Sequence, residues 1–471
     1  MSTIADRQDH TCDVLVVGAG AAGLLAALAA RGVVDADGRG CPVPESPPDV
    51  VLLNNEPRLG LKILVSGGGR CNLTNAQVTE GDYESDAPRA VKGLLRGFSA
   101  AAAQTFFNSR HCPLHEEDLG KVFPQSNEAQ QVLHVLLDAV ANAGIPIVAP
   151  ATVTRLQPPE LAANRWRVTV TEGAAWEPRK VILATGGKSL PKTGSRGFGL
   201  QELARLGHTI APPMPALTPL LLGSDGPLAG LAGLTVPAVL TLTPRGVQPE
   251  QLAGSRYRPM ARAAGSMLVT HQGATGPAPF DVSGTCGRAA SVGLDVVLHG
   301  DFWSLVAESG PWAPFQDQDK QPGASLPGDL APRPPTLEVF QAQMEALFTQ
   351  RDRALGGELA RRLPRSLVDN LLQSAGLDPQ LKIKQIDTRD RRKLYLALTQ
   401  VDLRLSGTGG YAKAEVTAGG VLLGELDRRT LESRRIPGLH CCGEVVNVTG
   451  RLGGFNFQWA WSSGYAAGRA T

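Results

Sequence analysis

Gly18-Ala19-Gly20-Ala21-Ala22-Gly23 sets three glycines at the spacing G-x-G-x-x-G. The first glycine permits a tight turn. The second lets the backbone approach a pyrophosphate, and the third lets a helix pack closely on a strand. The N–H groups and dipole of the following helix then hold the phosphates. Gly18, Gly20, Ala21, Ala22 and Gly23 are therefore expected to contact a dinucleotide, without fixing which one. An acid for the adenosine ribose is expected at the end of the second strand, about 20 residues further on. Here Leu53 is followed by Asn54, Asn55 and Glu56. Either Asn54 replaces the acid as a hydrogen-bonding group, or Glu56 curls back to the ribose.

Other residue types could carry chemistry. Cys71 follows a Ser66-Gly67-Gly68-Gly69-Arg70 loop and is a candidate redox-active thiol, without a CxxC or CxxxxC partner. His271, in a glycine-bounded turn, is a candidate proton donor. His111, Cys112 and His115 have the types of a metal cluster but no fourth ligand nearby, and no metal site is expected. Cys441 and Cys442 lie on an apolar strand and read as core. Arg389, Arg391, Arg392 and Lys393 read as a solvated helix face, with a polyanion site as the alternative.

The elements that must position these residues follow from pattern. Asp13–Val17 is a valine-rich run that reads as a buried parallel strand, and Leu24–Arg31 as a helix stopped by Gly32. Residues 38–49 read as an inserted loop before a second strand, Val50–Leu53. Helical patterns follow over 90–109 and 129–144. Strands over 151–156 and 165–171 make a hairpin or meander, and 181–184 is another apolar strand. Between 212 and 300, short β-branched segments alternate with Gly and Pro. Residues 310–335 are rich in Pro, Gln and Asp, and 336–398 read as helices. Strand-like segments return after Ala412, and 453–469 is a glycine turn entering a helix. The expected organisation is an α/β, discontinuous Rossmann-like domain (1–210 and 406–471). It is interrupted by a β-rich insert (211–310), a flexible linker (311–335) and a helical insert (336–405).

Composition bounds the function. The chain has 471 residues, 46 Lys+Arg against 44 Asp+Glu, and a net charge of +2. That balance carries no electrostatic footprint for nucleic acid or an anionic membrane. Seven cysteines, an odd number, argue against a disulfide framework. Residues 1–13 lack the apolar stretch of a signal peptide, and no run reaches the length of a membrane span. A cytoplasmic location is expected. So are a small-molecule substrate, no nucleic acid partner and no membrane partner. The oligomeric state is unspecified.

Further segments distinguish the dinucleotide. They are Lys62-Ile63-Leu64-Val65-Ser66-Gly67-Gly68-Gly69-Arg70-Cys71-Asn72-Leu73-Thr74-Asn75, Ala184-Thr185-Gly186-Gly187, Gly443-Glu444, and Gly450-Arg451-Leu452-Gly453-Gly454-Phe455-Asn456-Phe457-Gln458-Trp459-Ala460. With the N-terminal loop they resemble, in order across nearly the whole chain, the BaiN-like (aminoacetone-oxidase-type) bacterial flavoproteins. The resemblance implies FAD. It implies that the loop with Gly67, Gly68, Arg70, Cys71 and Asn72 lines the flavin, Arg70 and Asn72 offering donors, and that Lys62, Ser66 and Thr74 beside it also bind the cofactor. Thr185, Gly186 and Gly187 would pass near the adenosine side, and Gly443 and Glu444 near the ribitol or pyrophosphate. Gly453 and Gly454, with Phe455 and Asn456, would aim backbone N–H groups at the flavin N1–C2=O edge, where reduction places negative charge. The chain departs from the family pattern at Asn54 and at Asn447-Val448-Thr449.

The expected function is an FAD-dependent oxidoreductase acting on an unidentified small organic substrate by flavin hydride transfer. No second strand–glycine loop–helix is visible, so NAD(P)H as co-substrate stays open, as does an amine oxidase that uses none. The alternative is an FAD-containing binding or RNA-associated regulatory flavoprotein.

Overall fold

The computed structural model describes residues 10–160, 164–254, 256–307 and 331–471. Residues 311–330 of the expected linker lie outside them. The chain forms two compact units, Met1–Met214 with Glu415–Thr471, and Pro215–Ala414.

The first unit is organised by one sheet. Strand His10–Val17 pairs in parallel with Val50–Leu53 on one side and Ala175–Leu183 on the other. Ile147–Val148 extends the sheet in parallel beyond the second strand, and Leu439–Cys441 adds in parallel to the 175–183 strand. Arg167–Val170 and Val153–Gln157 complete an antiparallel meander. Val14–Val17, Val50–Leu53 and Val181–Leu183 are buried throughout, which is why they read as unbroken apolar runs. Register then fixes the site. Val17 pairs with both Leu53 and Leu183, and Leu183 with Cys441. Gly18, Asn54, Ala184 and Cys442 therefore leave the sheet side by side at its carboxyl edge, where open α/β sheets bind ligands.

Helix Ala21–Ala30 is buried at every residue except Ala21. A helix apolar on all faces must be covered on all faces. The sheet covers one side and the C-terminal helix, Phe455–Arg469, covers another. A Cβ on Gly464 would strike the Ala22 carbonyl, and one on Gly468 the Ala26 carbonyl. Both contacts advance along the two helices in the same direction, so the helices run parallel. With Gly464 level with Ala22, the C-terminal helix begins eight residues ahead of the first, an offset of roughly 12 Å at 1.5 Å per residue.

The helical pattern over 90–109 resolves into two helices, Pro88–Gly97 and Ala100–Asn108. The break falls where Ser99 Oγ accepts the Ala102 N–H (3.2 Å), capping the second helix.

The second unit carries a seven-stranded sheet whose described pairings are antiparallel, centred on Thr235–Pro244 and Ala261–Thr270. Helix Pro277–Ser291, inside the region read as β-rich, packs on those two strands. Helices Leu337–Leu347, Leu355–Leu359, Arg365–Ser374 and Thr388–Thr399 follow. Their residues Phe340, Leu367 and Leu398 share one core with Leu240, Met267 and Val269 of the strands. No helix among the described residues is long and apolar enough to cross a membrane.

Candidate cofactor site

The glycine loop has the geometry its spacing requires. Gly18 has φ +109, and a side chain there would meet the Ala184 carbonyl. A Cβ on Gly23 would run into the Gly18 carbonyl oxygen, whereas one on Gly20 would meet nothing within 4 Å. The space in front of Gly20 is open. The first helix has no side-chain cap and no acid in its first turn, and its first intrahelical bond runs from Leu24 N–H to Gly20 C=O. The N–H groups of Ala21, Ala22 and Gly23 therefore face that space with the positive end of the dipole.

Asn54 braces this loop. Its Oδ1 accepts the Ala19 N–H (3.2 Å) and its Nδ2 donates to the Glu56 carbonyl (2.6 Å). Glu56 Oε1 accepts from Arg196 (2.8 Å). The Thr185 hydroxyl in the next turn is buried without a hydrogen-bond partner, and Gly186 has φ +69.

The Ser66–Gly69 loop winds through left-handed conformations at Gly67 (φ +55), Gly68 (φ +69) and Gly69 (φ +86), and Cys71 continues at φ +60. Ser66 Oγ donates to the Ile63 carbonyl (2.7 Å). Arg70 pairs with Glu117 (2.7 Å) and lies over the Phe123 ring, 4.1 Å from its centroid. Asn72 Oδ1 accepts the Val122 N–H (3.3 Å), and Thr74 Oγ1 donates to Gln458 Oε1 (2.6 Å). Arg70 and Asn72, expected as flavin donors, thus hold protein partners. Cys71 as a redox-active thiol does not fit its surroundings. The side chain is fully buried, and burial pushes the thiol up to about 12 against the hydrogen bond with Ser66, so it is protonated at neutral pH.

Lys62 and Glu444 form the charged centre of the unit. Lys62 Nζ donates to Glu444 Oε2 (2.6 Å) and to Ser189 Oγ (2.7 Å). Glu444 Oε1 accepts from Ser189 Oγ (2.8 Å) and Thr417 N–H (2.8 Å). Burial alone would raise the Glu444 pKa. The Lys62 charge and the bonds from Lys62, Thr417 and Ser189 outweigh it and hold the carboxyl below its usual range. A Cβ on Gly187 would collide with Thr417 and Glu444, so the Thr185–Gly187 turn closes onto this cluster.

The C-terminal helix starts at an uncapped glycine turn, Gly453 (φ +130) and Gly454 (φ +92). Asn456 stabilises the approach, accepting the Gly450 N–H (2.9 Å) and donating to its carbonyl (2.8 Å). The buried Phe455 gives its carbonyl to Tyr83 Oη (2.9 Å). Gly443 N–H donates to Ser463 Oγ (2.9 Å). Two uncapped helix N-termini thus point the same way. One opens on the space before Gly20, and the other stands roughly 12 Å ahead of it. A pyrophosphate at the first and a flavin ring at the second would be joined by a ribityl chain. The open Gly20, the uncapped helices and the orphaned Thr185 hydroxyl all fit FAD.

His271 belongs to the second unit, exposed between strands Ala261–Thr270 and Gly273–Thr275. His115 bonds Glu117 (3.2 Å), and Cys112 is buried with its thiol pushed up to about 11 by burial. Among the described residues no group of three or more His, Cys, Asp or Glu could hold a metal. In the basic cluster, Arg392 pairs with Glu250 (2.6 Å), Arg391 with Glu345 (3.6 Å) and Lys393 with Asp390 (3.4 Å). Residues that sequence reasoning did not single out are Asn75, Ser189, Thr417 and Gln458. Asn75 and Gln458 had a signal, their places in the Lys62–Asn75 and Gly450–Ala460 segments.

A Rossmann cofactor domain of this geometry defines the class, the FAD-dependent oxidoreductases. The chain belongs to the HI0933-like family, whose "HI0933-like protein Rossmann domain" matches residues 12–470, in agreement with the resemblance read from its motifs. It is 33% identical over 457 residues to the ribosomal RNA dihydrouridine synthase of Escherichia coli (strain K12), covering 96% of each chain. It is 29% identical over 455 residues to the protein of the same name in Haemophilus influenzae, covering 96% of each. It is also 29% identical over 456 residues to the 3-dehydro-bile acid delta(4,6)-reductase of Clostridium scindens, covering 97% of this chain and 98% of that one.

Proposed function

We propose that this protein is a reductase that saturates a carbon–carbon double bond conjugated to a carbonyl. The support is what its relatives' names have in common. Dihydrouridine is uridine with its 5,6 double bond saturated, and a delta(4,6)-reductase of a 3-oxo steroid acts on double bonds of the same kind. FAD, when bound and reduced by the electron donor, would supply hydride for such a bond; the balance is one hydride and one proton added across it. The chain's own part is to hold the pyrophosphate at the first helix and the ring at the C-terminal helix. It also keeps Glu444 ionised beside Lys62. A small planar substrate and a dihydronicotinamide electron donor are the working assignments, with His271 as a candidate proton donor. The second reading, uridine within ribosomal RNA, is favoured by the 33% identity along 96% of the Escherichia coli protein.

Anaerobic mixing of the FAD-loaded protein with NADH or NADPH tests the donor through flavin bleaching. The reduced protein is then mixed with a 3-oxo-Δ4,6 bile acid or with an unmodified ribosomal RNA transcript. Reoxidation with a saturated product supports the reductase reading and separates its two substrates. Bleaching of the oxidised flavin by simple amines, with neither probe reoxidising the reduced form, replaces it by amine oxidation.

A further inference from the structure

We propose that Asn75 is a positioning residue that pins the N-terminus of the C-terminal helix and thereby sets the redox potential of the flavin. Asn75 is 2% exposed. Its Nδ2 donates to two carbonyls from distant loops, Leu119 (3.1 Å) and Gly453 (3.1 Å), and its Oδ1 accepts the Gln77 N–H (3.1 Å). One amide thus ties together two backbone turns. The first is the Gly453–Gly454 turn, which has left-handed backbone at both residues and leads directly into the helix. The second is the turn at Asp118–Gly120, where Leu119 is held at φ +61 with its side chain 52% exposed. Leucine rarely adopts that conformation, and such outliers persist only where the surroundings over-determine them. The Leu119 carbonyl bonded to Asn75 is one such determinant.

The consequence is electrostatic. The field of a helix N-terminus falls off within its first turn, so its effect depends on where that turn is held. A reduced flavin carries more negative charge than an oxidised one and gains more from N–H groups aimed at it. Releasing Gly453 would let the turn relax away from the ring, weakening the reduced form selectively. The inference rests on the FAD ring lying at this helix.

The test uses the FAD-loaded wild type, Asn75→Ala and Asn75→Ser. It measures FAD dissociation constants and midpoint potentials by dye-coupled reduction. Asn75→Ala is expected to lose at least tenfold more affinity for reduced than for oxidised FAD. For a two-electron couple that is a potential about 30 mV more negative. Asn75→Ser, able to donate once, falls between. If Asn75→Ala loses its flavin altogether, Asn75→Ser carries the test. Equal loss of both redox forms, or an unchanged potential with FAD bound, overturns the role of Asn75. A wild-type potential equal to that of free FAD overturns the placement of the ring.

Discussion

Lys62 Nζ lies 2.6 Å from Glu444 Oε2, although 382 residues of chain separate the two. The pair closes the short helix Leu61–Val65 against the turn that follows strand Leu439–Cys441. Its partners Ser189 and Thr417 come from two more places in the sequence. Removing Lys62 leaves a largely buried carboxylate without its counter-charge. Lys62→Met is expected to lower stability by about 3 kcal/mol, read from chemical denaturation at pH 7. Glu444 has a depressed folded pKa, so its contribution is present above the unfolded value of about 4.3 and fades as pH falls below it. Glu444→Gln should lose that acid dependence. An unaltered acid limb would show that the pair does not stabilise the fold.

The glycine loop separates binding from folding. Gly20 has ordinary extended backbone (φ −89) and open space around it. Gly20→Ala should therefore unfold at nearly the wild-type temperature while binding FAD at least tenfold more weakly, because its methyl enters the phosphate's space. Gly23→Ala should instead destabilise the fold by about 1–3 kcal/mol, since its Cβ meets the Gly18 carbonyl. Calorimetry with and without FAD distinguishes them. Equal behaviour of the two variants would contradict the geometry.

A second acid-sensitive contact lies at Glu425. Arg435 donates two hydrogen bonds to it, and Thr209 and His208 add more, bringing its carboxyl down to about 2 despite partial burial. The buried His208 also bonds Ser433 Oγ (2.9 Å), so one imidazole links two segments. A depressed pKa contributes stability above about 4.3 that is lost as pH falls toward 2. Glu425→Gln is expected to cost about 2 kcal/mol at pH 7 and to flatten the stability profile below pH 4.3. A variant as acid-sensitive as the wild type would refute this.

Cys71 should behave as a structural thiol. At pH 8 a thiol reagent should modify the half-buried Cys41 well before Cys71, and Cys71→Ala should retain flavin reduction. Loss of reduction in Cys71→Ala with FAD still bound would restore a chemical role for the thiol.

What the sequence disclosed was local. The phosphate cradle is built from six consecutive residues, so its spacing is readable before any fold is known. The parallel strands are readable because burial on both faces leaves continuous apolar runs. Helix Pro277–Ser291 was not, because its two prolines, tolerated in its first turn, read as turn signals and its two glycines lower helix propensity, while its packing on the 235–244 and 261–270 strands has no local signal. The contacts of Ser189, Thr417 and Gln458 were invisible for a different reason. Each acts through partners hundreds of residues away, and no short pattern marks such a meeting. Periodicity likewise shows where elements change type, but not that the strands around 240 and 268 and the helices from 337 to 399 bury their side chains in one core.

The parallel packing of the first and last helices has a consequence for biosynthesis. The cofactor unit needs Phe455–Arg469 to cover Ala21–Ala30, yet about 425 residues lie between them. At 5–20 residues per second, translation takes roughly 20 to 85 s to cross that distance. Through that interval the alanine- and leucine-rich first helix lacks its Phe455–Arg469 cover, and the whole Pro215–Ala414 unit is made within it. The nascent chain can gather the glycine loop early, but the helix that covers it follows only after the Pro215–Ala414 unit. Completion of the cofactor unit is therefore tied to the synthesis of Phe455–Arg469.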